Sequence, residues 1–509
     1  MKFRCTVCAY VHEGSTPPDA CPVCGVGPEL FEAMGSPAAS TPAPTPAPAP
    51  ADPVAPVAAD AWRCTVCAYV HEGPSAPDTC PVCGVGSELF EAMEPPAQAT
   101  APAQGSPPVA APVDDAWRIV IVGAGVAGCQ AAASAREQDP LARITLVSGE
   151  PGLPYRRIDL TRLLADQVRD EDMVMYEESF FTQGRIERLV GLARIIDLEG
   201  HTLRLSDGRS LPYDRLILTN GAHAFLPPIL GAQRDGVTVL RNLDQARRIL
   251  QRCRQGGHVV VIGGGLLGLE AAVGLASRGS RVAVIEGQPS LLPRQLTQPA
   301  ARLLEARLRR LGVDVHCGVS VSGILGDEQV YAVALEGGAE IPAEQVIIST
   351  GIRANAELAS RSGLEVGRGV RVDARMVSSD PKVLAAGDVA ECEGLSFGLW
   401  PIAQEQGRVA GITATGGEAA FEAPPAATML KVLDVPVASF GEVHADGPDV
   451  EVYEDQGPDR YVRLAARDGR LVGACLFGDI ALAGAVRRAI QSGQAIPDLA
   501  GFARESLGA

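Results

Sequence analysis

The sequence predicts a multidomain α/β protein with two Rossmann-like dinucleotide-binding domains, a small C-terminal α/β domain and two small metal-stapled β modules at the N-terminus. Three observations carry this prediction. A Gly-x-Gly-x-x-Gly turn stands twice between a β-branched strand and a helix, eight of the 13 cysteines fall at one repeated spacing, and 14 of the 39 prolines crowd into residues 35–61 and 94–116. At 509 residues the chain has room for several folded units of roughly 100–200 residues each.

Composition narrows the class. Hydrophobic residues at 46% and charged residues at 21% give a globular balance, and a net charge of −17 argues against nucleic acid and against an anionic membrane surface as partners. The longest apolar run, residues 259–276, contains Glu270 and five glycines, so it reads as strand, turn and helix start, with no membrane span. The opening residues MKFRCTVC lack the apolar stretch of a secretion signal. A cytoplasmic protein is therefore expected, whose regularly spaced cysteines bind metal.

The front of the chain is a duplication. Residues 3–34 and 62–93 differ at six positions, and each holds two Cys-x2-Cys pairs separated by twelve residues: Cys5, Cys8, Cys21 and Cys24, then Cys64, Cys67, Cys80 and Cys83. A unit of this size buries too little core to fold unaided, so it needs a staple. Four thiolates in paired knuckles make a tetrahedral cage that suits zinc or iron, and the spacing favours metal over disulfides. Tyr10 or Tyr69 after the first knuckle, then VHEG, Pro-Asp, CPVCG and a closing LFE, resemble the short rubredoxin domain at the end of rubrerythrins. Ala9 and Ala68 stand where that family has glycine. The resemblance implies rubredoxin-like modules over 1–34 and 62–93, each holding one iron that carries one electron, with zinc as the alternative.

Residues 35–61 contain eight prolines and ten alanines in 27 positions, while 94–116 is a looser linker with Gln, Gly and Ser. Alternating proline favours polyproline II, which rises about 3.1 Å per residue. Both modules are thus semi-rigidly leashed to the body, and an effective concentration on the order of millimolar replaces free diffusion.

Residues 117–509 form that body. WRIVIVGAGVAGCQAAASA runs from a strand through Gly123, Gly125 and Gly128 into a helix, and ITLVSGE then ends at Glu150, 22 residues past Gly128. HVVVIGGGLLGLEAAVGLASRGSRVAVIEG repeats the design with Gly263, Gly265 and Gly268, and Glu286 follows 18 residues later. Such glycines let backbone approach a pyrophosphate at a helix N-terminus, and the acid receives ribose hydroxyls. Two units predict two dinucleotides. Glu286 would repel a 2′-phosphate and no arginine follows at 287 or 288, so the second site favours NADH over NADPH.

In these motifs the body resembles the pyridine nucleotide-disulfide oxidoreductase superfamily, in the branch of rubredoxin reductases and of the flavoprotein part of NADH-dependent nitrite reductases. The resemblance implies FAD on the first unit (117–235 and 352–424), NADH on a second unit inserted into it (236–351), and a small α/β interface or dimerisation domain over 425–509. VLAAGDVAE matches the family's third FAD motif, placing Gly387 and Asp388 at the ribityl chain. TNGAH sets Thr219 and Gly221, with Asn220 between them, at the strand-to-turn position, and STGIRAN, with Gly351 and Asn355, matches the return strand. PYRRIDLTR stands where the family has PYxRPxLSK, with Ile158 replacing proline. Arg157 then takes the flavin-contacting arginine position and Thr161 the serine position. Arg162 takes the place of a lysine that pairs with a glutamate near flavin N5, here Glu270. GLWPIAQEQGRVAG matches the helix over the flavin pyrimidine, with Gln404 and Glu405 as candidates.

The thiol-dependent members of this superfamily carry a redox cysteine pair, or a single cysteine within the stretch occupied here by 153–165. Cys129, Cys253, Cys317, Cys392 and Cys475 are solitary, and 153–165 contains no cysteine. A two-electron thiol exit is closed. The resemblance therefore implies an oxidoreductase of the NADH:rubredoxin reductase kind, passing electrons from NADH through FAD to the tethered iron centres. From there they reach an external acceptor protein, rubrerythrin-like or flavodiiron-like. The alternative is a flavoprotein that reduces a separate carrier or a nitrite reductase partner, with the front units serving as zinc-ribbon docking modules.

Overall fold

The computed structural model describes residues 116–423, 427–432 and 435–507, together with short strands and isolated positions within 2–92. Both predicted linkers lie outside the described residues, as do Cys8, Cys21, Cys24, Cys67, Cys80 and Cys83. The chain divides into two compact units, 1–58 and 59–509.

The duplicated sequence folds into duplicated topology. Lys2–Cys5 pairs antiparallel with Val11–Glu13 and with Phe31–Met34, and Ala61–Cys64 pairs in the same way with Val70–Glu72 and Phe90–Ala92. Cys5 and Cys64 end the two central strands, opposite Phe31 and Phe90.

In the body, the apolar runs become strands covered on both faces. One parallel sheet orders Val383–Ala385, Arg215–Leu218, Arg118–Val122, Arg143–Ser148 and Ile186–Val190, and four of the five residues of RIVIV are buried at its centre. Continuous burial of β-branched residues is what a sheet flanked by helices requires. The second parallel sheet orders Val237–Thr238, Gln345–Ile348, His258–Ile262, Arg281–Glu286 and Val313–Cys317. Each sheet is accompanied by a three-stranded antiparallel meander, drawn from 193–212 and from 321–342.

The chain leaves the first sheet after Leu218 and rejoins it at Val383, with the second sheet formed in between. Departing and returning segments pair as Ala222–Ala224 against Ile352–Ala354. A reciprocal amide lock fixes this crossing: Asn220 Nδ2 donates to the Asn355 carbonyl at 2.8 Å, and Asn355 Nδ2 donates to the Asn220 carbonyl at 2.6 Å. Asn355 N also reaches the Gly221 carbonyl at 2.9 Å, and its Oδ1 lies 2.7 Å from His223 Nδ1. The unusual Asn220 thereby gains a role as a side-chain donor, while its own buried Oδ1 has no partner among the described residues.

Residues 427–477 form a five-stranded antiparallel sheet ordered Ala427–Val432, Val435–Gly441, Arg470–Phe477, Tyr461–Arg467 and Val450–Gln456. Val437, Tyr461, Cys475 and Phe477 share a core with the second Rossmann unit, and the other face is covered by Ala483–Ser492 and Leu499–Leu507. No helix among the described residues is long and apolar enough to cross a membrane.

Helix Val126–Gln138 is pressed against helix Trp400–Ala414 through two glycines one turn apart. A Cβ on Gly407 would lie 2.3 Å from the Ala127 carbonyl oxygen, and one on Gly411 would lie 2.3 Å from that of Ala131. Backbone cannot yield as a flexible side chain does, so Gly407→Val should destabilise the first Rossmann unit by about 1–3 kcal/mol or more. The midpoint of urea unfolding, followed by far-UV circular dichroism, should fall; an unchanged midpoint would show that the helices can separate freely.

Candidate dinucleotide and electron-transfer site

The two glycine fingerprints divide their work identically. Gly123 and Gly263 have φ of +109° and +118°, and a Cβ on either would strike the carbonyl oxygen of the adjoining strand end, Thr219 at 2.3 Å or Ser349 at 2.2 Å. The third glycines pack helix on turn: a Cβ on Gly128 would lie 1.9 Å from the Gly123 oxygen, and one on Gly268 would lie 2.3 Å from that of Gly263. The middle glycines behave oppositely. Nothing stands within 4 Å of a Cβ placed on Gly125 or Gly265. Each middle glycine caps a helix of 13 or 12 residues with no side-chain cap and no acidic residue in the first turn. Bare backbone, free space and an uncapped positive helix end fit a pyrophosphate at both places.

The acids that follow are already oriented. Glu286 Oε2 accepts from Gly264 N at 2.7 Å and Oε1 accepts from Gln288 N at 2.8 Å, so the carboxylate braces the loop it faces. Glu150 Oε2 accepts from the Tyr155 hydroxyl at 2.7 Å, while Oε1 is ion-paired with Arg157. Burial and the neighbouring Glu150 carboxylate push the Tyr155 hydroxyl up to about 12, keeping it a donor at neutral pH.

From Glu150 a polar chain runs across the first unit. Arg157 Nη1 donates to the Arg241 carbonyl at 2.8 Å, and Arg241 Nη2 pairs with Asp388 Oδ2 at 2.7 Å. Arg241 precedes the capped helix Leu243–Arg252 and belongs to no motif, so sequence reading missed it. Thr219 Oγ1 lies 2.9 Å from both the Val122 and Gly123 carbonyls, tying the strand end to the glycine turn, and Gly221 takes φ of +68°. Gly387, at φ +81°, donates its N–H to Gln406 Oε1 at 2.9 Å. Gln406 is buried and its Nε2 has no partner among the described residues, a donor left for a ligand oxygen. The two candidates expected on this helix have other partners. Gln404 instead lies 3.4 Å from Gln130, and Glu405 pairs with Arg408 at 2.7 Å, because the helix turns those two away from Gly387.

The expected Arg162–Glu270 pair is not formed. Arg162 Nη1 pairs with Asp159 Oδ1 at 3.0 Å, and Arg156 Nε holds the other oxygen at 2.7 Å. Asp159 is only 3% exposed, and a buried carboxylate recruits the cations within reach. Glu270 is bound by Thr161, whose Oγ1 donates to Oε2 at 2.8 Å. Burial raises the Glu270 carboxyl above the usual range, and the Thr161 hydroxyl opposes that rise.

All five body cysteines are free. Burial pushes the thiols of Cys129 and Cys317 up to about 12 and about 11, and raises those of Cys392 and Cys475 as well. Cys253 lies 3.3 Å from Ser280 Oγ. Thiolates are the reactive form, so four of the five are poor nucleophiles.

Comparison with known proteins agrees with this geometry. The family model for pyridine nucleotide-disulphide oxidoreductases matches residues 117–407, that for the rubrerythrin rubredoxin-like domain matches 3–32 and 62–91, and that for the rubredoxin NAD+ reductase C-terminal domain matches 425–494. The chain is 34% identical over 368 residues to the nitrite reductase [NAD(P)H] of Bacillus subtilis, covering 71% of this chain and 46% of that relative. It is 35% identical over 283 residues to the rubredoxin-NAD(+) reductase of Pseudomonas putida, covering 55% of this chain and 74% of that one. The crystal structure of NADH:rubredoxin oxidoreductase from Clostridium acetobutylicum superposes with a TM-score of 0.68 at 26% identity, covering 77% of this chain and all (100%) of that one. The chain thus spans less than half the length of the nitrite reductase it matches.

Removing the Glu286 charge with its shape kept, by Glu286→Gln, should narrow the preference for NADH over NADPH by about tenfold or more, the equivalent of 1.4 kcal/mol. The ratio of kcat/KM values for the two coenzymes measures this, and an unchanged ratio would remove Glu286 from coenzyme choice.

Proposed function

The chain belongs to the pyridine nucleotide-disulphide oxidoreductase family, and from that premise we propose that it is an NADH-dependent flavoprotein carrying its own one-electron acceptors. FAD occupies the first Rossmann unit, NADH the second, and an iron ion each of the two four-cysteine modules. The observation that carries the reading is a combination within one chain: two fingerprints with open middle glycines, no reactive thiol pair among the described residues, and two rubredoxin-like modules. FAD bound there would supply the chemistry of accepting a hydride from NADH and releasing electrons singly. A flavin without a thiol exit can release its electrons singly, and the modules offer one-electron acceptors on a leash.

The protein's residues have distinct parts in this reading. Gly125 and Gly265 admit the pyrophosphates, Glu150 and Glu286 orient the ribose ends, and Thr219, Gly221, Gly387 and Asp388 shape the flavin side. Arg157 and Arg241 neutralise the acids along that side, Gln406 offers its unused donor, and Glu270 lies between the two sites. Cys5, Cys8, Cys21 and Cys24 form one iron cage, and Cys64, Cys67, Cys80 and Cys83 form the other. The reading places the protein in a reducing cytoplasm as a homodimer formed through the C-terminal domain. It hands electrons to an oxygen- or peroxide-reducing protein of the rubrerythrin or flavodiiron kind.

An anaerobic NADH titration of the purified protein, with metal and FAD analysis, tests the relay. Two irons per flavin are expected, with the iron–thiolate absorbance bleaching as NADH is added; zinc in the cages, or iron that stays oxidised while the flavin bleaches, would leave the modules as docking elements. Deleting residues 1–116 should abolish NADH-driven reduction of an external one-electron carrier, and added rubredoxin should restore it. Retained carrier reduction by the truncated chain would overturn the route through the modules.

A further inference from the structure

A half-buried carboxyl group lies where the two nucleotide-binding units meet. Glu270 belongs to helix Leu266–Ser277, whose N-cap is the middle glycine of the second fingerprint, Gly265. Its partner Thr161 belongs to helix Leu160–Leu164, which begins three residues after Arg157, the residue paired with Glu150 of the first unit. The two helices approach closely: a Cβ on Gly274 would lie 3.1 Å from Ala165 N. Glu270 therefore touches elements of both sites through a single hydrogen bond.

Most of the charges around it are committed elsewhere. Helix Leu266–Ser277 contains no second titratable residue. From the facing segment, Arg156 and Arg162 are both taken by Asp159. Helix Leu243–Arg252, packed on the same segment, brings Asp244, Arg247, Arg248 and Arg252. Of these, Arg247 pairs with Asp170 and Asp244, and Arg252 pairs with Asp235. The strands beneath bring His258, Arg281, Glu286, Asp314, His316 and Cys317; His316 bonds Asp314, and Glu286 braces Gly264. Beyond the segment, Arg278 pairs with Asp166. Burial and the Thr161 hydroxyl are what act on the carboxyl itself.

We infer that Asp159 is a positioning residue that withholds Arg162 from Glu270, so that Glu270 serves the junction of the two nucleotide sites as a hydroxyl-bound acid free of any ion pair. A carboxyl held this way keeps its proton to higher pH than one paired with arginine, because burial penalises its charged form and no cation compensates. The junction then gains or loses a proton where an ion pair would hold a fixed charge. This inference rests on the flavoprotein reading for its place in the reaction, and on the geometry alone for the charge arrangement.

Infrared pH titration of the holoprotein tests it. The band of a protonated carboxyl that disappears in Glu270→Gln identifies the group, and its midpoint should lie above that of an ordinary glutamate. Asp159→Asn releases Arg162 and should move that midpoint down by about one pH unit or more. Arg162→Gln on the native background should leave it in place, which keeps the test decisive if Asp159→Asn does not fold. A midpoint unmoved by Asp159→Asn, or raised by Arg162→Gln, would overturn the inference. In anaerobic stopped flow, the pH inflection of flavin bleaching by NADH should follow the same downward shift in Asp159→Asn. If NADH bleaches no flavin, the functional reading fails while the infrared midpoints still decide the charge arrangement.

Discussion

The body is organised by one steric constraint: at two places bare backbone must be offered to a ligand while that same backbone is pressed against the next strand. Gly123 and Gly263 satisfy the second half, each with positive φ and with a would-be Cβ only 2.3 Å or 2.2 Å from a neighbouring carbonyl oxygen. Gly125 and Gly265 satisfy the first half, opening onto space. Everything nearby supports these turns. Thr219 ties the adjoining strand end to Gly123, Glu286 braces Gly264, and Gly407 and Gly411 allow a second helix to lie against the first fingerprint helix at backbone distance.

Insertion of one unit into the other makes the crossing points decisive. Two asparagines exchange side-chain amides across the departing and returning strands, so the link relies on hydrogen bonds that satisfy both backbone carbonyls. Arg241 extends the connection. It stands at the beginning of the inserted unit, yet its guanidinium pairs with Asp388 and bonds the Ala222 carbonyl on the flavin side. A side chain from one unit thereby completes the polar lining of the other.

Charge is distributed sparingly at the junction of the two sites. Asp159, buried, draws two arginines to itself, and Glu270, also sheltered, is left with a neutral hydroxyl. A buried acid is costly to ionise without a cation, so the same arrangement that stabilises the segment 156–162 also sets the protonation behaviour of its neighbour. The thiols repeat the theme, since burial holds Cys129 protonated inside the fingerprint helix and removes it from redox chemistry.

What the sequence determined by itself was everything carried by local pattern. Glycine spacing at 123, 125 and 128 and at 263, 265 and 268, the acids at 150 and 286, the duplicated cysteine knuckles and the proline runs each express a requirement of a few consecutive residues, so a linear reading finds them. Tertiary structure alone decided which side chains meet. Matching PYRRIDLTR position by position put Arg162 opposite Glu270, but Asp159, one turn away on the same helix start, is nearer and buried, and a short-range ion pair displaced the expected long-range one. Gln406 faces Gly387 where Gln404 and Glu405 do not, because the rotation of helix Trp400–Ala414 is set by the packing of Gly407 and Gly411 on helix Val126–Gln138, far away along the chain. Arg241 left no trace in any motif, since its role arises only when the inserted unit folds back against the flavin side. Local backbone geometry is written in neighbouring residues; the pairing of charges across units depends on distances that exist only in the folded chain.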